Sequence, residues 1–168
     1  MYIIASTRFN ADTWKQNKEW RKKNCWRGCV YGSPKQTALS HATDVLMFVL
    51  EMDNSKNKIR GVGLIRNRHV TKEHHKIYTD RNYNRYTYKG EYRVSRKQMT
   101  REEKQIIRAF DILLFKGSRH LKRGQGIIAL PTRFVNTTYV DLRMFFRTMF
   151  KKRYGNVAEE KETKLENK

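Results

Sequence analysis

Apolar and polar positions change rhythm several times along the chain, and each rhythm predicts an element. Tyr2 to Thr7 is a short β-prone run, and Asn10 or Asp12 can cap a helix that continues through Trp14, Lys18 and Arg21. From Asn24 to Ala42 the periodicity stops. Gly28, Gly32, Ser33 and Pro34 mark a loop there, and the same loop holds Trp26 and Tyr31. Val45 to Met52 reads as a buried strand, Asp53-Asn54-Ser55-Lys56-Asn57 is turn chemistry, and Ile59 to Ile65 is a second strand, which together predict a hairpin. Tyr86, Tyr88, Tyr92 and Val94 fall on alternate or near-alternate positions around Lys89-Gly90, predicting at least one more strand or hairpin. Thr100 with Glu103 forms a capping box, ahead of Ile106, Ile107, Phe110, Leu113 and Leu114 at helical spacing and Gly117 as a stop. Ile127 to Leu130 reads as a short strand ending at Pro131. Thr138 with Asp141 can cap a last helix whose apolar face, Leu142, Phe145, Phe146, Met149 and Phe150, closes the core.

A chain of 168 residues built from these elements accommodates one hydrophobic core, so a single α+β domain over residues 1–154 is expected. Residues 155–168 carry four acids and three lysines with almost no apolar side chains, the composition of a solvated tail. Without that tail the rest still holds 34 Lys and Arg against 12 Asp and Glu, a net +22 against +21 for the whole chain, so the basic character belongs to the folded body. A surface that basic attracts polyanions: nucleic acid, acidic protein or anionic lipid. The longest apolar run, Val45 to Leu50, is far short of a membrane span, and Arg8 interrupts the N-terminal strand before a signal-peptide core forms. An intracellular setting is therefore expected, in cytoplasm, nucleus or virion, with no membrane partner. Two cysteines, Cys25 and Cys29, make no disulfide framework.

Between Arg60 and Lys97 there are eleven Lys and Arg against three acids, together with three His and five of the nine Tyr. Lys and Arg neutralise phosphates, while exposed tyrosine faces stack on unpaired bases for about 1–3 kcal/mol each, a combination that favours RNA or single-stranded nucleic acid. The same tyrosines also fit a strand with one face in the core. A second basic run, Lys116 to Gly126, contains glycines that would allow a phosphate close to the backbone, or it is an ordinary solvated loop. Cys25 and Cys29 have a loose spacing for zinc, and the adjacent His74 and His75 point in different directions in regular structure, so no metal site is expected. The few carboxylates are scattered through turns, caps and the tail, and no nucleophile motif accompanies them; no enzymatic activity and no cofactor are expected. Gly61-x-Gly63 lies inside a strand and is not a phosphate loop.

Asn24-Cys25-Trp26 in a loop, then Val45-Leu46-Met47-Phe48-Val49, an Asn/Ser turn and Ile59-Arg60-Gly61-Val62-Gly63, resembles the core of YTH domains and their EVE relatives in the PUA-like superfamily. Tyr88-Lys89-Gly90-Glu91-Tyr92-Arg93-Val94 is similar to a segment those domains carry further on. The resemblance implies a curved or barrel-like mixed sheet flanked by helices, and an aromatic pocket that takes a modified base, most typically N6-methyladenine in RNA. By position it makes Trp26 the first cage aromatic and Tyr88 the second, where the family usually has Trp. It also assigns base and sugar contacts to the segment Ser6-Thr7-Arg8-Phe9-Asn10, here through Ser6, Thr7 and Asn10. Stacking plus burial of one methyl group, about 1 kcal/mol, would favour the modified base. Without the resemblance, Trp26 reads as a core residue anchoring its loop; Trp14 and Trp20 read as packing.

The expected function is thus a reader of RNA or single-stranded nucleic acid, with a base between Trp26 and Tyr88 and phosphates on Arg8, Arg66, Arg68, Arg119, Lys122 and Arg123. The rival from a different class is a structural or virion-type basic protein that neutralises nucleic acid without reading a base. A third is a basic module that docks an acidic protein.

Overall fold

Strand β1 (Tyr2–Phe9) runs parallel to β3 (Leu46–Asp53), a pairing that requires a crossover, and the crossover carries α1 (Ala11–Lys23) and β2 (Cys29–Ser33). This is a computed structural model, and it describes residues 2–37, 44–137 and 139–156. The Asn10 side chain accepts from the Thr13 amide at 2.8 Å and its own amide donates to Thr13 Oγ1, a reciprocal cap that starts α1 at Asn10 and not at Asp12. From β3 the chain turns back through Asp53, whose Oδ1 accepts from the Ser55 and Lys56 amides at 3.0 and 3.1 Å, into the antiparallel β4 (Lys58–Arg66). Leu50 pairs with Val62 and Met52 with Ile59, so β4 carries one residue more than β3 there, a bulge at Arg60-Gly61.

The next two strands, β5 (Tyr86–Gly90) and β6 (Tyr92–Ser95), follow each other with one residue between them, yet they join different sheets. β5 pairs with β2 as a separate two-stranded ribbon, while β6 pairs with β4. With β7 (Ile128–Ala129) beside β1, the main sheet has the order β6-β4-β3-β1-β7. It is mixed, open and not closed into a barrel, which corrects the barrel-like expectation. Its edges are the short β6 and β7, and the β2–β5 ribbon packs on its face through a core of its own instead of bridging them. Ribbon and sheet approach closely because two positions lack a side chain. A methyl at Gly63 would meet the Tyr31 hydroxyl and Cys29, and one at Gly90 would meet the Leu64 carbonyl.

The opposite face is covered by α2 (Arg101–Phe115), the single-turn α3 (Thr132–Val135) and α4 (Leu142–Tyr154). Strand parity divides the apolar residues between two cores. Leu46, Phe48, Leu50 and Met52 pack with Ile107, Phe110, Phe146 and Phe150 of the helices, whereas Met47 and Val49 pack with Ala5, Phe9, Trp14 and Tyr31. A strand buried on both faces shows a continuous apolar run and not an alternation, which is how Val45 to Met52 reads in the sequence. The Thr100–Glu103 capping box is present, and Asp141 caps α4 by accepting from the Met144 amide at 3.0 Å; Thr138 and the tail from position 157 onward lie outside the described residues.

One expectation is corrected besides the barrel. The segment 24–42 contains a strand, β2, whose Cys29-Val30-Tyr31 is buried but interrupted by glycines that look like loop. The tyrosine-rich segment forms the expected further strands, β5 and β6, which do not pair with each other as a hairpin but diverge to separate sheets. Among the described residues no helix is long and apolar enough to cross a membrane.

Candidate nucleic-acid interface

The end of β1, the start of α1, the turn after β3 and two distant loops meet at a cavity of about 220 Å³. Thr7, Asn10 and Thr13 line one side, Tyr78 and Tyr83 another, and Lys122 with Gly124-Gln125-Gly126 the rim. That volume is below the range of about 300–1,000 Å³ common for drug-sized ligands and suits a single ring system. The two tyrosine rings stand edge to face, 6.2 Å apart at 71°. They are seated by Gly32, where a methyl would meet the Tyr83 carbonyl oxygen and the Tyr78 ring. Tyr78 is fixed further by Asn17 Nδ2, which donates to its hydroxyl at 3.0 Å, and by Asn84, which accepts from the Ile77 and Tyr78 amides. Burial pushes the Tyr78 phenol above its ordinary pKa, so it stands neutral in the wall. Asn54 donates from Nδ2 to the Lys122 carbonyl at 2.9 Å, and its Oδ1 is buried with no hydrogen-bond partner among the described residues. That leaves an acceptor in the lining of a polar cavity.

Arg8 shapes the rim. Its guanidinium donates to the Leu121 and Gly126 carbonyls and to Ser6 Oγ, tying the basic loop to β1, and burial lowers its pKa to about 10. It therefore acts as a loop anchor and not as an open phosphate clamp. Gly126, with φ +71, takes a left-handed backbone against Ser33 that a side chain would disrupt. Ser6 is fully buried beneath this anchor. Arg119 and Arg123 are exposed on the same loop, while Arg66 and Arg68 lie elsewhere, both engaged by Asp44: Arg66 through its carbonyl at 3.1 Å and Arg68 through its carboxylate.

Trp26 and Tyr88 are not brought face to face. Tyr88 lies opposite Tyr31 in the β2–β5 ribbon, and cross-strand partners share a face, so it points with Tyr31 toward the main sheet. It is 2 % exposed, and its hydroxyl accepts from the Thr37 amide at 3.1 Å. The neighbouring Lys89 points the other way, and its ammonium lies 4.3 Å from the Trp26 ring and 5.7 Å from Trp20, so Trp26 meets a cation of its own chain. The indole nitrogen of Trp26 donates to the Cys29 carbonyl at 3.0 Å.

Compared with known proteins, the chain matches no family model, no curated protein and no solved structure.

A much larger groove, about 1320 Å³, runs along the other face of α1. Lys18, Arg21 and Lys22 form one wall, and Lys58, Arg60, Arg93, Arg96 and Lys97 the opposite one. With Arg27 and Lys104 that makes ten cations, against Glu91 as the only acid in the lining. Trp14 lies in its floor with the guanidiniums of Arg21, Arg60 and Arg93 at 5.6, 5.8 and 5.7 Å from the ring centroid. Beneath it the buried Glu51 accepts from Arg93 Nε and Nη2 at 2.8 and 2.6 Å and from the Tyr31 hydroxyl at 2.9 Å. Lys18, Arg21 and Lys22 recur with Trp14 at helical spacing, so this stripe was visible in the sequence; the opposite wall was not, since it joins residues 58–60 to residues 93–97, two segments far apart in the chain. Cys25 is exposed and Cys29 buried, and no group of three or more His, Cys, Asp and Glu gathers among the described residues.

Proposed function

We propose that the protein binds RNA, or single-stranded DNA, and admits one base to the cavity at the end of β1. The observation that carries this reading is the convergence of Thr7 and Asn10 with Tyr78, Tyr83 and the basic loop on one cavity of nucleobase size. The tyrosines supply ring contacts, Asn54 Oδ1 supplies an acceptor for a base amino group, and Lys122 supplies charge near the sugar-phosphate. The proposal keeps the kinship to YTH and EVE domains and its modified base, typically N6-methyladenine, but moves the aromatic walls from Trp26 and Tyr88 to Tyr78 and Tyr83.

The test is fluorescence anisotropy on matched short RNAs with and without one N6-methyladenine, over a salt series, with single-stranded and duplex DNA alongside. A preference of about tenfold, equal to about 1.4 kcal/mol, retained at high salt and lost in Tyr83→Ala, is the expected result. Equal affinities that collapse together as salt rises overturn base reading. That outcome selects the second reading, a structural or virion-type protein that neutralises nucleic acid by charge alone, which the ten-cation groove favours by itself.

A further inference from the structure

We infer that the groove along α1 is the track for the phosphate backbone of a single nucleic-acid strand. This rests on the nucleic-acid binding proposed above but not on base reading.

Six of its cations, Lys18, Lys22, Arg27, Lys58, Lys97 and Lys104, have no side-chain ion pair or hydrogen bond among the described residues. Like charges gathered on two facing walls repel one another, and the lining holds one acid to relieve them, so the groove is complementary to a polyanion and not to water alone. The remaining guanidiniums are held in fixed directions. Arg60 is paired with Asp53 at 2.7 Å and Arg96 with Asp111 at 2.7 Å, which leaves the remaining N–H groups of these partly exposed guanidiniums preset for phosphate oxygens, while Arg93, paired with Glu51 at 2.6 Å and only 10 % exposed, adds its charge from the floor. An acidic protein could meet the charge, but it has no use for the rings. Trp26, Tyr92 and Tyr154 line the groove beside the cations, and interleaved cations and aromatic faces are what a strand with unstacked bases contacts.

Counterion release gives the magnitude. Each phosphate neutralised on a single strand contributes about −0.7 to the slope of log K against log salt, so six engaged cations give a slope of about −4. The experiment uses the full chain, a fluorescent mixed-sequence single-stranded RNA of about 12 nucleotides, a size within the single-strand site range, and an acidic polyglutamate peptide as the competing probe. Lys18→Ala/Lys58→Ala/Lys97→Ala is compared with Lys116→Ala/Arg119→Ala/Arg123→Ala, which removes the same charge from the basic loop. All six side chains are exposed, and melting curves confirm the fold of both variants. The groove variant is expected to flatten the slope by about 2 while leaving any modified-base preference intact, and the loop variant to change the slope by less than half as much. Equal changes in the two variants overturn the groove as a track while leaving nucleic-acid binding in place. Absence of RNA binding by the wild type, with tight polyglutamate binding that the groove variant loses, overturns both the track and the nucleic-acid reading in favour of an acidic protein.

Discussion

Replacing Glu51 by Gln removes the buried negative charge that holds Arg93 in the floor of the groove. The Glu51 carboxylate is 1 % exposed and takes three hydrogen bonds, from the Tyr31 hydroxyl at 2.9 Å and from Arg93 Nε and Nη2 at 2.8 and 2.6 Å. Glutamine has the right shape, but its amide group turns two N–H donors toward groups that are themselves donors, and Arg93 loses its counter-charge. Burial alone would lower the Arg93 pKa; Glu51 overrides it and holds the guanidinium above its ordinary value. Nearby, Arg21 is pulled below its ordinary value by burial and then by Arg93, so a lone Arg93 would sit buried beside a second cation. Breaking a buried ion pair from one side costs about 3–5 kcal/mol, a large part of the roughly 5–15 kcal/mol that a domain has in total. In urea titrations followed by tryptophan fluorescence, the midpoint of Glu51→Gln should fall by about 1 M or more with the slope unchanged. The triple variant Glu51→Leu, Arg93→Met, Tyr31→Phe removes every charge and donor together and should stay within about 1–2 kcal/mol of wild type, because the desolvation penalty leaves with the charges. A Gln variant that loses under about 1 kcal/mol, or a triple variant as unstable as the single one, refutes the reasoning.

Two further outcomes test the packing and the electrostatics. Burial pushes the Cys29 thiol up to about 12, whereas Cys25 is exposed, so iodoacetamide near pH 8, about the pKa of a free thiol, should alkylate the native protein once, at Cys25; mass spectrometry showing two modifications without denaturant contradicts the close seat of Cys29 beneath Gly63. Partial burial pushes the Glu103 carboxyl up, but the Arg153 guanidinium and the Thr100 amide push it down further, to below its ordinary 4.5. A depressed carboxylate pKa adds stability that is present above the unfolded value and lost as pH falls through the folded one. The difference in melting temperature between wild type and Glu103→Gln should therefore close below pH 4.5, and a constant gap from about pH 6 to about pH 2 would show that the ion pair contributes nothing.

The elements legible in the sequence are those whose pattern is local. The Thr100–Glu103 box opens α2, the run from Val45 marks β3 because both of its faces are covered, and the Asp53 turn carries its own hydrogen bonds. β2 was hidden because Gly28 and Gly32 read as loop punctuation, whereas each is a place where another backbone or a tyrosine ring comes too close for a side chain. No local pattern states which other segment will approach.

The candidate site divides in the same way. Net charge, the tyrosine-rich segment and the polar segment at the end of β1 follow from the sequence alone, since they are counts and spacings. Which aromatics share a wall depends on strand parity: a shift of one residue exchanges Tyr88, turned to the core, with Lys89, turned to Trp26. Likewise Arg8, Arg66 and Arg68 are basic in the sequence, but carbonyls of the 121–126 loop and Asp44 claim them in the fold, while Lys18, Lys58 and Lys97, from three separate elements, are left facing one another across a groove. Composition set the charge of this protein, because charge is additive over residues; tertiary structure chose which charges are spent inside the chain and which remain for a partner, because pairing depends on distances between segments that the sequence leaves unstated.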